Sequence, residues 1–202
     1  MPRKAVTPRP AASERDRKME QLVSSIFQLI GEDGSREGLV ETPARVRMAV
    51  EEVFSGYRQD PKKILKTFTE DVCREMVLLK NCEFYSTCEH HLFPFFGLIS
   101  VAYLPNRRIV GISKLARLVD CFARRLQIQE RMTAQIADAI MDVLDARGVY
   151  VMCEATHFCM TSRGIRKQDA SMVTTAIRGA FEKSESLRLE FLAAVTGTVS
   201  VK

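Results

Sequence analysis

The chain contains only three histidines, His90, His91 and His157, and each lies within three residues of a cysteine. That clustering constrains the fold more than any other feature of the sequence. Cys88-Glu89-His90-His91 sets a thiolate and an imidazole at the spacing that supplies two metal ligands from one turn. His157-Phe158-Cys159 falls in a segment, Val149 to Met160, that reads as a strand. Side chains alternate there with period two, so His157 and Cys159 are expected on one face. Two such half-sites make one metal site if the fold brings them together. Sulfur and imidazole together select zinc over the hard cations, which take oxygen ligands. With Cys88, His91 and Cys159 bound, a fourth position stays open for water, and His90 and His157 stand free as acid/base groups. With His157 bound as well, the site is closed, Cys2His2 and structural. The spacing favours zinc and leaves both arrangements open.

The setting supports metal over disulfides. No stretch reaches the roughly 18 to 20 apolar residues of a membrane span, and no apolar run follows the basic N-terminus as a signal peptide requires. A soluble, cytoplasmic protein with no membrane partner is therefore expected. In that reducing compartment the six cysteines do not form a disulfide framework. Cys73, Cys82, Cys121 and Cys153, which lie outside the two clusters, are expected to be simply buried.

The formal charge of +5 raises the question of a nucleic-acid partner. Met1 to Lys18 carries six basic residues against two acidic ones, so the rest of the chain is within one charge of neutrality. This tail has almost nothing apolar to bury and is expected to be disordered. The near-neutral body argues against nucleic acid. Within it, however, Tyr103 to Arg131 holds seven basic residues against two acidic ones, a concentration suited to one polyphosphate.

The patterning gives one α+β domain, residues 19–202, that begins with a helical arm over about 19–57. Ser13 is placed to cap a helix carried by Met19, Leu22, Val23, Ile26, Phe27 and Ile30 and ended by Gly31. Thr42-Pro43 opens a second helix. Residues 57 to 75 read as a connection with little structure. Met76 to Tyr85, Phe95 to Leu104, Ile109 to Ile112, Val149 to Met160 and Ser171 to Phe181 read as strands. Helices are expected from Ser113, as N-cap, through Ala123, from about Gln129 toward Gly148, and from about Ser184 to Val195.

Several motifs then carry a resemblance. Cys88-Glu89-His90-His91-Leu92-x-Pro94-Phe95 resembles the signature of GTP cyclohydrolase I. Arg36-Glu37-Gly38-Leu39 with Thr42-Pro43-x-Arg45-Val46, Gly111-Ile112-Ser113-Lys114-Leu115-Ala116-Arg117, Gln127-x-Gln129-Glu130-Arg131-Met132-Thr133, and Glu154-Ala155-x-His157-x-Cys159-Met160 with Arg163-Gly164 follow that family's order and spacing. The resemblance covers about residues 20 to 195 and leaves the tail outside.

The resemblance implies a tunnelling fold, an antiparallel sheet with helices on one face, assembled as two pentamers into a homodecamer with active sites between subunits. It implies hydrolysis of GTP at guanine C8, release of formate, and rearrangement to 7,8-dihydroneopterin triphosphate, the first step toward folates and biopterin. Cys88, His91 and Cys159 would hold a catalytic zinc, which lowers the pKa of water from about 16 toward 7. His157 would serve the purine imidazole ring and His90 the ribose, since imidazoles titrate near working pH. Glu130 would accept hydrogen bonds from guanine N1–H and the 2-amino group, Gln129 would lie beside the base, and Ser113 would act on ribose hydroxyls. Lys114, Arg117, Arg163 and Arg45 would bind the triphosphate. The competing reading of the same residues is a structural zinc module with a nucleic-acid or protein partner. It requires the closed site and binding that weakens steeply with salt.

Overall fold

The structure, a computed structural model, describes residues 13–69 and 74–197. The chain divides into two units, Met1–Glu52 and Val53–Lys202. In the first, α1 (Glu14–Ile30) begins at Ser13, whose hydroxyl accepts from the Asp16 N–H while the Asp16 carboxylate accepts from the Ser13 N–H. Residues 14–18, counted into the tail on their charge, therefore belong to this helix, and residues 1–12 lie outside the described residues. The helix stops at Gly31, φ 78°, where a residue without a Cβ turns the chain at no steric cost. Then α2 (Thr42–Val53) follows, and its Arg47 reaches back to Glu20 of α1 at 2.9 Å.

The second unit opens with a 3₁₀ turn at Ser55–Arg58, then α3 (Pro61–Ile64) and β1 (Thr67–Phe68), so the stretch expected to be plain connection contains short elements. The main elements are β2 (Val77–Cys88), β3 (Pro94–Leu104), β4 (Ile109–Val110), α4 (Ile112–Ala123), β5 (Leu126–Gln127), α5 (Gln129–Leu144), β6 (Gly148–His157), α6 (Phe158–Thr161), β7 (Met172–Gly179), α7 (Ala180–Lys183) and α8 (Glu185–Thr196). Five strands form one sheet in the order β5-β2-β3-β6-β7, antiparallel except for the short β2·β5 pairing, while β1 pairs with β4. This is the α+β, largely antiparallel architecture expected from the sequence.

Period two along the strands explains how the sheet acquires two apolar faces. Phe95, Ile99, Val101 and Tyr103 of β3 join Val149, Val151 and Cys153 of β6 beneath Leu115, Leu118 and Val119 of α4 and Met132, Ile136 and Ile140 of α5. The interleaved Ala102, Leu104 and Tyr150 face the other way, against Phe181 and Phe191 of the last two helices, with Tyr150 and Phe191 stacked at 4.1 Å. The two long helices thus cover one face, and α8 packs on one end of the other. Cys121 and Cys153 are fully buried, Cys82 is partly buried, and Cys73 lies outside the described residues. Among the described residues no helix is long and apolar enough to cross a membrane.

Two expectations are corrected here. The strand expected to run to Met160 stops at His157, and Cys159 lies in the one-turn helix α6. Partners explain the stop: Phe95↔His157 is the last β3·β6 pair, the preceding residue of β3 is Pro94, which has no N–H, and β7 has already ended its pairing at Ala155↔Met172. Ser113 is not the cap of α4, because Gly111 occupies the N-cap in extended conformation, φ −61° and ψ 135°, and Ser113 lies within the first turn.

Gly97 marks the closest approach in the sheet. A Cβ there would meet the Glu154 carbonyl oxygen at 1.9 Å and the Ala155 Cα at 2.7 Å, both main-chain atoms of β6. Gly97→Ala must therefore force β3 and β6 apart. The expected cost is about 3 kcal/mol or more, read as loss of soluble protein or a fall in the thermal midpoint.

Candidate active site

Cys88 ends β2 and opens a turn that is closed from both sides. Its N–H donates to the Phe93 carbonyl at 2.8 Å, and the Leu92 N–H donates to the Cys88 carbonyl at 2.9 Å, with Leu92 in the left-handed region at φ 57°. The next residue anchors the turn to β5: the Glu89 N–H donates to the Gln127 carbonyl at 3.0 Å. The Glu89 carboxylate pairs with Arg131 of α5, whose Nε also donates to Gln127 Oε1 at 3.0 Å. That pairing holds the Glu89 carboxyl below its usual range.

Register brings the second half-site to the same end of the sheet. Thr87 pairs with Pro94 and Phe95 pairs with His157, so the Cys88 turn and α6 adjoin across β3. Cys88, His91 and Cys159 each offer a ligand atom, and these atoms lie within 4.8 Å of one another, with Cys88 Sγ 3.9 Å from His91 Nδ1. Ligand atoms around a tetrahedral zinc are about 3.5 to 3.8 Å apart for bonds of about 2.3 Å to sulfur and 2.0 Å to nitrogen, so a small contraction of this group would seat one. Burial first, and then the neighbouring Cys88, push the Cys159 thiol up. A thiol that resists ionisation beside a second sulfur is a donor that a soft cation deprotonates and neutralises. The residues fit a metal, and they do so without His157.

His157 is held separately. Its ring stacks on Phe95 with centroids 4.5 Å apart and planes 4° from parallel, and Phe95 is wholly buried. Its Nε2 lies 2.8 Å from Gln129 Oε1. Burial pushes the His157 pKa down, and the Glu130 charge pulls it partly back. Gln129 and Glu130 are adjacent in the first turn of α5 yet face different surroundings: Gln129 is 1% exposed, and Glu130 is exposed. Arg163, in the loop after α6, is exposed, and its charge acts on Cys159.

The remaining residues singled out from the sequence are His90, three residues of α4 and one of the N-terminal unit. His90 is exposed beside His91, ring centroids 6.2 Å apart. Ser113 and Lys114 occupy the first turn of α4, with Arg117 on the next turn, and Ser113 and Arg117 are exposed. Arg45 belongs to the N-terminal unit and pairs with Glu41 of the preceding turn. Sequence reasoning gave no role to Phe95, Glu89, Arg131, Thr133 or Thr174. The spacing of Gln129 to Thr133, one helical turn, is the available signal for the polar contacts at the head of α5.

Comparison with known proteins adds to this geometry. The family model for GTP cyclohydrolase I matches residues 19–196. A GTP cyclohydrolase 1 of Wolinella succinogenes is 57% identical over 175 residues, covering 86% of this chain and 94% of that protein. One from Thermobifida fusca is 53% identical over 190 residues, covering 93% and 91%. Among solved structures, the apo form of archaeosine synthase QueF-Like is similar over 54% of this chain and 98% of its own, with a TM-score of 0.43 and 17% identity. A match that runs from α1 to the end of α8 and takes in both halves of the Cys/His group leaves one conclusion: the chain belongs to the GTP cyclohydrolase I family.

Proposed function

We propose that this protein converts GTP to 7,8-dihydroneopterin triphosphate and formate in the cytoplasm, with zinc held by Cys88, His91 and Cys159. The observation that carries this reading is the gathering of those three donors at one point, with a fourth candidate, His157, tied to Gln129 instead. Zinc bound there would supply Lewis acidity, lowering the pKa of water from about 16 toward 7. His157 and His90 hold and deliver protons, His157 at the opening purine ring and His90 at the ribose. Glu130, exposed at the head of α5, accepts from guanine N1–H and the 2-amino group, a donor pair that adenine lacks. Gln129 lies beside the base. Ser113 contacts the ribose hydroxyls, and Lys114, Arg117, Arg163 and Arg45 bind the triphosphate. Ser113, Lys114 and Arg117 form a group of their own on α4, which suits sites completed between copies of the chain in a decamer of two pentamers.

The test is metal content and GTP turnover measured on one sample, with formate and the oxidised fluorescent pterin as products. A zinc-replete, assembled protein that yields neither product overturns the reading. The Glu89–Arg131 pairing gives a second expected result. Arg131→Met frees the ligand turn from α5, and zinc affinity falls about 10- to 100-fold, as it does when supports behind metal ligands are removed. Zinc titration with a competing chelator reads this directly, and unchanged affinity would show that the turn is fixed by its main-chain bonds alone.

A further inference from the structure

The NH2 of the Gln129 amide is fully engaged within the protein. Its Nε2 lies 3.0 Å from the Cys153 carbonyl, 2.9 Å from the Met172 carbonyl and 3.2 Å from Thr174 Oγ1. Main-chain carbonyls only accept, so the amide end that faces two of them is the NH2 and the opposite end is the carbonyl oxygen. The threonines agree with this orientation. Thr133 Oγ1 donates its one proton to the Gln129 main-chain carbonyl at 2.7 Å, so Thr174 must be the donor in the 2.7 Å contact between the two hydroxyls. Thr174 Oγ1 is then left to accept from Gln129 Nε2. The two N–H protons of Gln129 are shared among three acceptors, the two carbonyls and Thr174 Oγ1.

The consequence falls on His157. Gln129 Oε1 can only accept, so the imidazole nitrogen 2.8 Å away, Nε2, carries the proton. A half-turn of the ring about its Cβ–Cγ bond would put Cε1 in that place and lose the hydrogen bond. The parallel stack on Phe95 fixes the plane of the ring. We propose that Gln129 is a positioning residue that holds His157 in the Nε2–H form and leaves Nδ1 as the nitrogen that takes and returns a proton. This rests on the proposed function, in which His157 transfers protons to the purine. It assigns the Gln129 side chain to the catalytic histidine, in place of a side-chain contact with the substrate. Catalytic imidazoles are generally oriented in this way, by a third group bonded to the nitrogen not used in the chemistry.

The full-length, zinc-loaded protein labelled with ¹⁵N-histidine has three imidazoles, and His157 is identified by its loss in His157→Ala. Solid-state ¹⁵N spectra are expected to show His157 with a pyrrole-type Nε2 and a pyridine-type Nδ1. Gln129→Met is expected to give a mixture of the two tautomers, lower kcat about 100-fold and leave KM for GTP within about threefold, with zinc content unchanged. Added to His157→Ala, the same substitution is expected to change the residual rate less than about twofold, because the group it acts through is gone. Thr174→Val, which removes only the far end of the circuit, is expected to act in the same direction with a smaller loss, and it decides the matter with the wild-type spectrum if Gln129→Met does not fold. A wild-type His157 protonated at Nδ1 overturns the proposal. So does a Gln129→Met variant that raises KM and spares kcat, or one that multiplies with His157→Ala. If the wild-type protein turns over no GTP, the proposed function fails, while the spectrum still decides the tautomer.

Discussion

Cys159→Ser is expected to lose zinc and GTP turnover together, with the rate falling by at least about four orders of magnitude toward the uncatalysed reaction. The reason lies in the donor set. Cys88, His91 and Cys159 are the three ligand atoms within 4.8 Å of one another, so a soft cation in this place depends on every one of them. A serine hydroxyl is a hard donor that does not ionise near neutral pH, and replacing one of two thiolates removes half of the charge that balances the ion. Metal analysis of the purified variant checks the first half of the expectation, and formate release checks the second. Cys121→Ala is the matched control. Cys121 is more deeply buried than Cys159, but it lies on α4 with Arg125 and Gln59 around it, and the change is expected to leave both readings as they are. A Cys159→Ser protein that keeps a full complement of zinc would remove Cys159 from the ligand set and the chemistry built on it.

The parts of this site that were legible from sequence are the local ones. Cys88 and His91 are separated by a single turn, and the spacing alone pairs them. Joining that turn to His157 and Cys159 needed contacts far apart in sequence, which no short-range pattern encodes. The join is made by the Phe95↔His157 register across β3. The same register explains the misread end of β6. Its composition continues as a strand to Met160, but a strand exists only where a partner offers hydrogen bonds, and the partner runs out at Pro94. Ser113 has the composition of a cap, yet the main chain turns two residues earlier, where Gly111 adopts the extended conformation. Gln129 was the least legible residue. A polar group at the head of a helix reads as a ligand contact, and only the packed structure places the carbonyls of β6 and β7 against its NH2. The core was read more fully, because period two in β3 and β6 and the helical period in α4 and α5 are each carried within one element.

His157→Ala separates a catalytic site from a structural one. In the catalytic reading the variant keeps its zinc and loses about 10²- to 10⁴-fold in kcat, the range that a positioned proton-transfer group contributes. In a closed Cys2His2 site the same change removes a ligand, and zinc leaves with it. The geometry favours the first outcome, because Nε2 of His157 is engaged by Gln129 and its ring is stacked on Phe95. Neither partner would survive the change unaltered. Gln129 Oε1 would lose its donor in a buried setting and Phe95 its stacking partner, so a stability loss of about 1 to 3 kcal/mol is expected alongside the kinetic one. His157→Gln distinguishes the two losses, since its side-chain NH2 reaches the place of the imidazole Nε2 and returns a donor toward Gln129 but titrates nowhere near neutral pH. Recovery of the thermal midpoint in His157→Gln without recovery of kcat ties the rate to the imidazole itself. Recovery of both would mean that the histidine contributes packing alone, and the proton transfer would then have to be sought at His90.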